Sequence, residues 1–107
     1  MLFRPNGTLV SDSDITTPVA VGAAAVVLAP ANRTRLGIEI SFPLTGVGVL
    51  FVSKNGAAPS AANNAFYLSP GDYYYSNPND DASVEHRGIL SVAGPTTIMV
   101  TQHSGFF

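Results

Sequence analysis

The chain has 107 residues, enough for one hydrophobic core and too few for a second, and it contains no cysteine, which excludes disulfides, thiolate nucleophiles and cysteine-bound zinc together. Only 11% of its residues are charged while 46% are hydrophobic, where an ordinary soluble domain is about a quarter charged. The formal net charge is −2, and the five basic residues, Arg4, Arg33, Arg35, Lys54 and Arg87, are scattered, so no basic stripe exists to follow a nucleic acid backbone. Most remaining polar positions are Ser, Thr, Asn and Gly, and an uncharged exterior of this kind is expected where much of the surface faces other protein.

Residues 1–18 mix Pro, Gly, Ser, Asp and Thr with isolated apolar residues and show no helical or strand period of useful length. They read as an extended N-terminal arm ahead of a domain spanning 19–107. Leu2, Phe3, Leu9, Val10 and Ile15 lie within that arm, more apolar side chains than a solvated tail needs, so the arm is expected to pack on something. The opening segment lacks the basic region and apolar stretch of a signal peptide, and the run from Val19 to Ala29 is too short to span a bilayer. The expectation is a soluble, unexported chain with no membrane partner.

From residue 19 onward strands bounded by turn residues dominate. Val19 to Leu28 is Ala/Val-rich, but Gly22, the β-branched Val26-Val27 and Pro30 favour one or two strands over a helix. Arg35 to Phe42 alternates cleanly, placing Leu36, Ile38, Ile40 and Phe42 on one face and Arg35, Gly37, Glu39 and Ser41 on the other. Val47 to Ser53 is apolar on both faces, which suits a central strand or one covered by a partner. An Ala/Asn/Pro loop over 55–64 leads into a short strand at Ala65 to Leu68, the turn Ser69-Pro70-Gly71-Asp72, and a strand at Tyr73 to Tyr75 that must point at least one tyrosine outward. Asn77 to Asp81 breaks the chain. Gly88 to Ala93 and Thr96 to His103 then form two strands about Gly94-Pro95, with Leu90, Val92, Ile98 and Val100 as the inward set. Six to eight short strands at intervals of about 8 to 12 residues predict an all-β fold, a single antiparallel β-sandwich or jelly roll.

No chemistry is assembled by spacing. His86 and His103 are the only imidazoles and lack the paired spacing of a metal site. No nucleophile elbow surrounds any serine, and Gly46-Val47-Gly48 enters a strand with no helix behind it, so it is no phosphate loop. Asp80, Asp81 and Glu85 could gather oxygens about calcium, yet they lack the calcium-loop pattern and read more simply as a turn. The expectation is no enzyme, no metal and no cofactor. A partner-binding set is expected instead at Leu2, Phe3, Arg4, Leu9, Val10, Tyr74, Phe106 and Phe107, since aromatic and apolar residues at a strand, an arm and a terminus are what contact surfaces use.

Taken in order, Ala29-Pro30-Ala31-Asn32-Arg33-Thr34-Arg35-Leu36-Gly37-Ile38-Glu39-Ile40, Val49-Leu50-Phe51-Val52, Leu68-Ser69-Pro70-Gly71-Asp72-Tyr73-Tyr74 and Gly88-Ile89-Leu90-Ser91-Val92 form a pattern over residues 29–103. It resembles the small β-sandwich virion proteins of tailed bacteriophages, of the capsid cement or decoration type. The resemblance implies a structural role on the capsid surface, with the major capsid protein and further copies of the chain as partners and no catalytic residues. A tail component, or a receptor- or carbohydrate-binding module presenting Tyr73 to Tyr75 and the 55–64 loop, is the alternative.

Overall fold

The computed structural model describes residues 2–3, 9–10, 13–76 and 82–104. Among the described residues ten strands form: β1 (Leu2–Phe3), β2 (Leu9–Val10), β3 (Ser13–Val21), β4 (Val26–Ala29), β5 (Arg35–Ser41), β6 (Leu50–Lys54), β7 (Phe66–Leu68), β8 (Tyr73–Ser76), β9 (His86–Leu90) and β10 (Thr96–Ser104). Among the described residues no helix is long and apolar enough to cross a membrane. β1 and β2 pair only with each other, while the remaining strands build two antiparallel sheets, ordered β3-β10-β5-β8 and β4-β9-β6-β7.

The pairing has a nested logic. β6 pairs with β7, β5 with β8, β4 with β9 and β3 with β10, always antiparallel, so residues 13–104 make one long hairpin. Rolled up, that hairpin brings β10 beside β5 and β9 beside β6. Eight strands rolled into two such sheets are a jelly roll.

Strand alternation fills the space between the sheets. Val21, Ile38, Ile40, Ile98 and Val100 descend from the first sheet and Leu28, Leu50, Val52, Leu68 and Leu90 from the second, joined by Ala29 and Phe42, all buried. Phe66 and Tyr74 stack across the gap with ring centroids 3.9 Å apart, and the Lys54 ammonium lies 5.6 Å from the Tyr74 centroid. The Ser69-Pro70-Gly71-Asp72 turn forms as its residues dictate. Gly71 takes φ +88°, the Asp72 N–H donates to Ser69 O, and Asp72 Oδ2 accepts from the Ser69 N–H.

The structure departs from simple alternation at four places. The strand expected near residue 19 begins at Ser13, so residues 13–18, assigned by sequence to the arm, lie in the first sheet against β10. Leu36, expected inward, is half-buried, and Arg35 takes the inward place at 3% exposure. The cause is a register shift: His103 pairs with Gly37 but Ser104 with Arg35, so β5 carries one extra residue, and a bulge of that kind reverses the side-chain alternation beyond it. β6 starts at Leu50 and not at Val47, because Gly48 adopts φ +81° and Val47 turns to solvent. Val92, expected in the core, is 40% exposed; β9 stops at Leu90, where the Ser91 N–H donates to Val49 O and Ser91 Oγ accepts from the Val49 N–H.

Arg35 fastens the bulge. Its Nε donates to Ala82 O, Nη1 to Pro30 O (2.7 Å) and Gln102 Oε1 (2.9 Å), and Nη2 to Val84 O (2.6 Å). Burial lowers its pKa from the ordinary 12.5, and these oxygens replace the lost water. Arg35→Lys retains the charge but cannot span four acceptors. It should lower unfolding free energy by about 2–3 kcal/mol in urea titrations, the scale of stranded buried polar groups.

Candidate functional site

The roll brings together side chains that sequence separates widely. On the outer face of the first sheet, Asp14 of β3, His103 of β10, Glu39 of β5 and Tyr73 of β8 form one chain of contacts. Asp14 and His103 share a register position, as do Glu39 and Thr101, so Glu39 sits one row from His103 on the adjacent strand. His103 Nδ1 is 3.0 Å from Asp14 Oδ1, and His103 Nε2 meets Glu39 Oε2. The Tyr73 hydroxyl donates to Glu39 Oε1, and the Tyr75 ring stands edge-on to the imidazole at 6.3 Å.

The electrostatics follow from the geometry. Partial burial opposes charge on His103, but hydrogen bonds and proximity to the Glu39 and Asp14 carboxylates hold its pKa above the ordinary 6.5. Donors from Tyr73 and His103 hold Glu39 below the ordinary 4.5. The Tyr73 phenol, hydrogen-bonded to a carboxylate, is pushed up to about 12. Both imidazole nitrogens are engaged, and from opposite sides of the ring, so the two carboxylates do not converge on one point with it. Among the described residues no group of His, Asp and Glu is placed to hold a metal ion. The arrangement bridges four strands, and the protonated imidazole offsets one of its two carboxylate charges.

The other histidine, His86, is fully buried, with Nδ1 2.9 Å from Val84 O and its ring 6.4 Å from that of Tyr74. An open groove of about 440 Å³ lies at the loop end of the roll, lined by Pro43, Thr45, Gly46, Pro95, Thr96, Thr97 and Met99. It has the volume of a small-ligand site, but no ionisable side chain lines it.

Of the residues that the sequence singles out, Leu2, Phe3, Leu9 and Val10 form the small β1–β2 hairpin, with Leu2 opposite Val10 and Phe3 opposite Leu9. Arg4, Phe106 and Phe107 lie outside the described residues, as do Asp80 and Asp81 of the calcium reading. Glu85 engages Arg87, with Oε1 2.6 Å from Nε. Tyr74 is the inward tyrosine of its strand, half-buried against Phe66; alternation turns Tyr73 and Tyr75 outward, at 58% and 49% exposure. Sequence reasoning missed Tyr67, 64% exposed between the inward Phe66 and Leu68, although period two in that short strand was the signal. No family model matches the chain, and neither a curated protein nor a solved structure matches it.

The raised His103 pKa favours the folded state below the unfolded value near 6.5, and that contribution fades as pH rises through the folded value. The lowered Glu39 pKa contributes above 4.5 and fades as pH falls through its folded value. The stability difference between wild type and His103→Gln should therefore peak between these two ordinary values, 4.5 and 6.5, and shrink in alkali. Urea titrations at a series of pH values measure it.

Proposed function

We propose that the chain is a structural virion protein of a tailed bacteriophage, a cement or decoration protein that sits on the capsid surface and bridges major capsid subunits without catalysing a reaction. One observation carries the reading: on the outer faces of both sheets the charged side chains of the described strands have partners within the chain, and one net negative charge remains when His103 is protonated. Asp14 and Glu39 face His103, and Glu85 faces Arg87. A protein that meets water over its whole surface gains solubility from free charge, whereas the centre of a protein interface is depleted of it. The jelly-roll topology and the resemblance over residues 29–103 point the same way.

The mechanism is clamping. A rigid sandwich lies across a seam between subunits while its terminal segment reaches a neighbour. At about 25 cal/mol per Å², roughly 300 Å² of apolar burial contributes about 7 kcal/mol, and association costs of about 4–15 kcal/mol consume most of it. A single footprint is thus weak, and repetition over a closed symmetric shell, with two attachment points per copy, makes the attachment firm.

A second reading, a tail or carbohydrate-binding module, draws on Tyr73 and Tyr75, which project side by side next to Glu39 as an amphipathic platform suited to a sugar ring. Binding on a glycan array, abolished by Tyr75→Ala, would favour it over the capsid.

Removal of residues 1–12 stops short of β3 and leaves both four-stranded sheets whole. The truncated chain should unfold at the wild-type temperature yet occupy undecorated phage heads at least about tenfold less well, the scale of losing one of two linked contacts. Cosedimentation with the particles measures this, and unchanged occupancy would remove the terminal segment from the mechanism.

A further inference from the structure

The two halves of β3 are held in different ways. On its inner side Val21 is fully buried and Val19 packs against the core, whereas Ile15, at the same alternation, is 56% exposed. Asp14, Thr16, Thr17 and Pro18 are exposed as well, so this half gains little from apolar burial. β3 is also an edge strand. Its first half therefore rests on β10 alone, through the ladder from Ser13 opposite Ser104 to Thr17 opposite Val100. Pro18, which has no N–H for that ladder, separates it from the buried half.

Among the described residues two side-chain contacts reinforce this half. Thr16 Oγ1 lies 2.8 Å from Thr101 Oγ1, and Asp14 Oδ1 lies 3.0 Å from His103 Nδ1. The second depends on a proton. His103 stands between two carboxylates, Nδ1 toward Asp14 and Nε2 toward Glu39. An imidazolium has an N–H for each, but a neutral imidazole has one N–H and turns a lone pair to the other carboxylate. The surroundings decide which carboxylate is abandoned. The Glu39 side chain is 29% exposed, lies on an inner strand of the sheet and accepts from the Tyr73 hydroxyl. The Asp14 side chain is 54% exposed on the edge, where water takes over its charge at less cost. The remaining proton therefore stays on Nε2, and Asp14 is left facing the lone pair. Among the described residues the other titratable groups facing the cluster are Tyr73, through Glu39, and Tyr75, edge-on to the ring, and no second cation pairs with Asp14.

We infer that residues 13–17 form a latch, closed on β10 while His103 carries both ring protons and released when it loses one. Release frees roughly 17 Å of chain at the root of the segment that precedes β3 and leaves the buried half of the strand in place. The carboxylates hold the His103 pKa above 6.5, so the latch is closed in mild acid and opens as pH rises through the folded value. It is a property of the chain alone and stands whether or not a capsid is the partner.

Hydrogen exchange of the full chain, read amide by amide by NMR and corrected for the intrinsic rate at each pH, tests the latch at about pH 5.5 and about pH 9, on either side of the imidazole titration. The β10-bound amides of residues 13–17 should lose about three- to tenfold of their protection at the higher pH, the scale of one net hydrogen bond, while those of residues 19–21 keep theirs. Asp14→Asn offers the lone pair an amide N–H and carries no charge to repel, so its latch should hold equally at both pH values. Equal wild-type protection at the two pH values, a loss shared by residues 19–21, or an Asp14→Asn chain that keeps the wild-type loss would each overturn the inference.

Discussion

The ladder between β3 and β10 is the constraint on which the rest of the molecule depends. It runs the full length of both nine-residue strands, from Ser13 opposite Ser104 to Val21 opposite Thr96, and it closes the outermost turn of the roll. Because β10 is also held by β5, it forms the centre of the first sheet. Pairing the two ends of the domain in this way is slow to reach, since the chain between them must be ordered first. Once made, it fixes three other features: the bulge that buries Arg35, the position of His103 between two carboxylates, and the placing of Ser13 beside Ser104 at one end of the first sheet.

The amount of this that the sequence discloses depends on how local the cause is. Ile38, Ile40 and Phe42 were legible from period two alone, as were the Pro70-Gly71 turn and the inward Ile98 and Val100. Arg35 was not, because its burial follows from one surplus residue relative to β10, and no single strand records the register of its neighbour. The start of β3 was hidden for a related reason. Ser13 to Thr17 lacks an apolar alternation since the inner side of that end is exposed, Ile15 included, and only the partner strand makes it a strand. The Asp14–His103–Glu39–Tyr73 network joins four separate strands and appears only once the topology is known. What composition did convey was the scarcity of charge, and the structure adds that Asp14 and Glu39 share His103 while Arg87 faces Glu85.

The two outer faces solve different problems. The first carries Thr16 hydrogen-bonded to Thr101 at 2.8 Å, the histidine bridge and the two outward tyrosines, a set of directional contacts that lock the relative positions of β3, β10, β5 and β8. The second has few such contacts and relies on the packed row of Ile89, Phe51 and Tyr67, which is non-directional and gains by being covered. A rigid polar face opposite an adhesive apolar one gives the sandwich a sidedness that alternation alone would not provide. Under the proposed role, the apolar side faces protein and the polar network holds the sheet in shape against it.

The sheet edges are built against strand addition, which under the proposed role leaves contact to the faces. An exposed edge strand invites another strand to pair with it, and proteins guard against this with short strands, bulges and prolines. β7 has only three residues and β8 only four. β4 carries a register irregularity between Val27 and Ala29. β3 is the one long edge, and Pro18 interrupts its row of backbone donors near the middle. A chain with so little charge has few lysines to spend on edge protection, Lys54 being the only one in the sequence, so the backbone itself supplies the defence. With the edges blunted, the exposed Val27 and Tyr67 and the half-buried Phe51 and Ile89 between them form an apolar strip on the second sheet, and a contact made on a face does not compete with open-ended sheet growth.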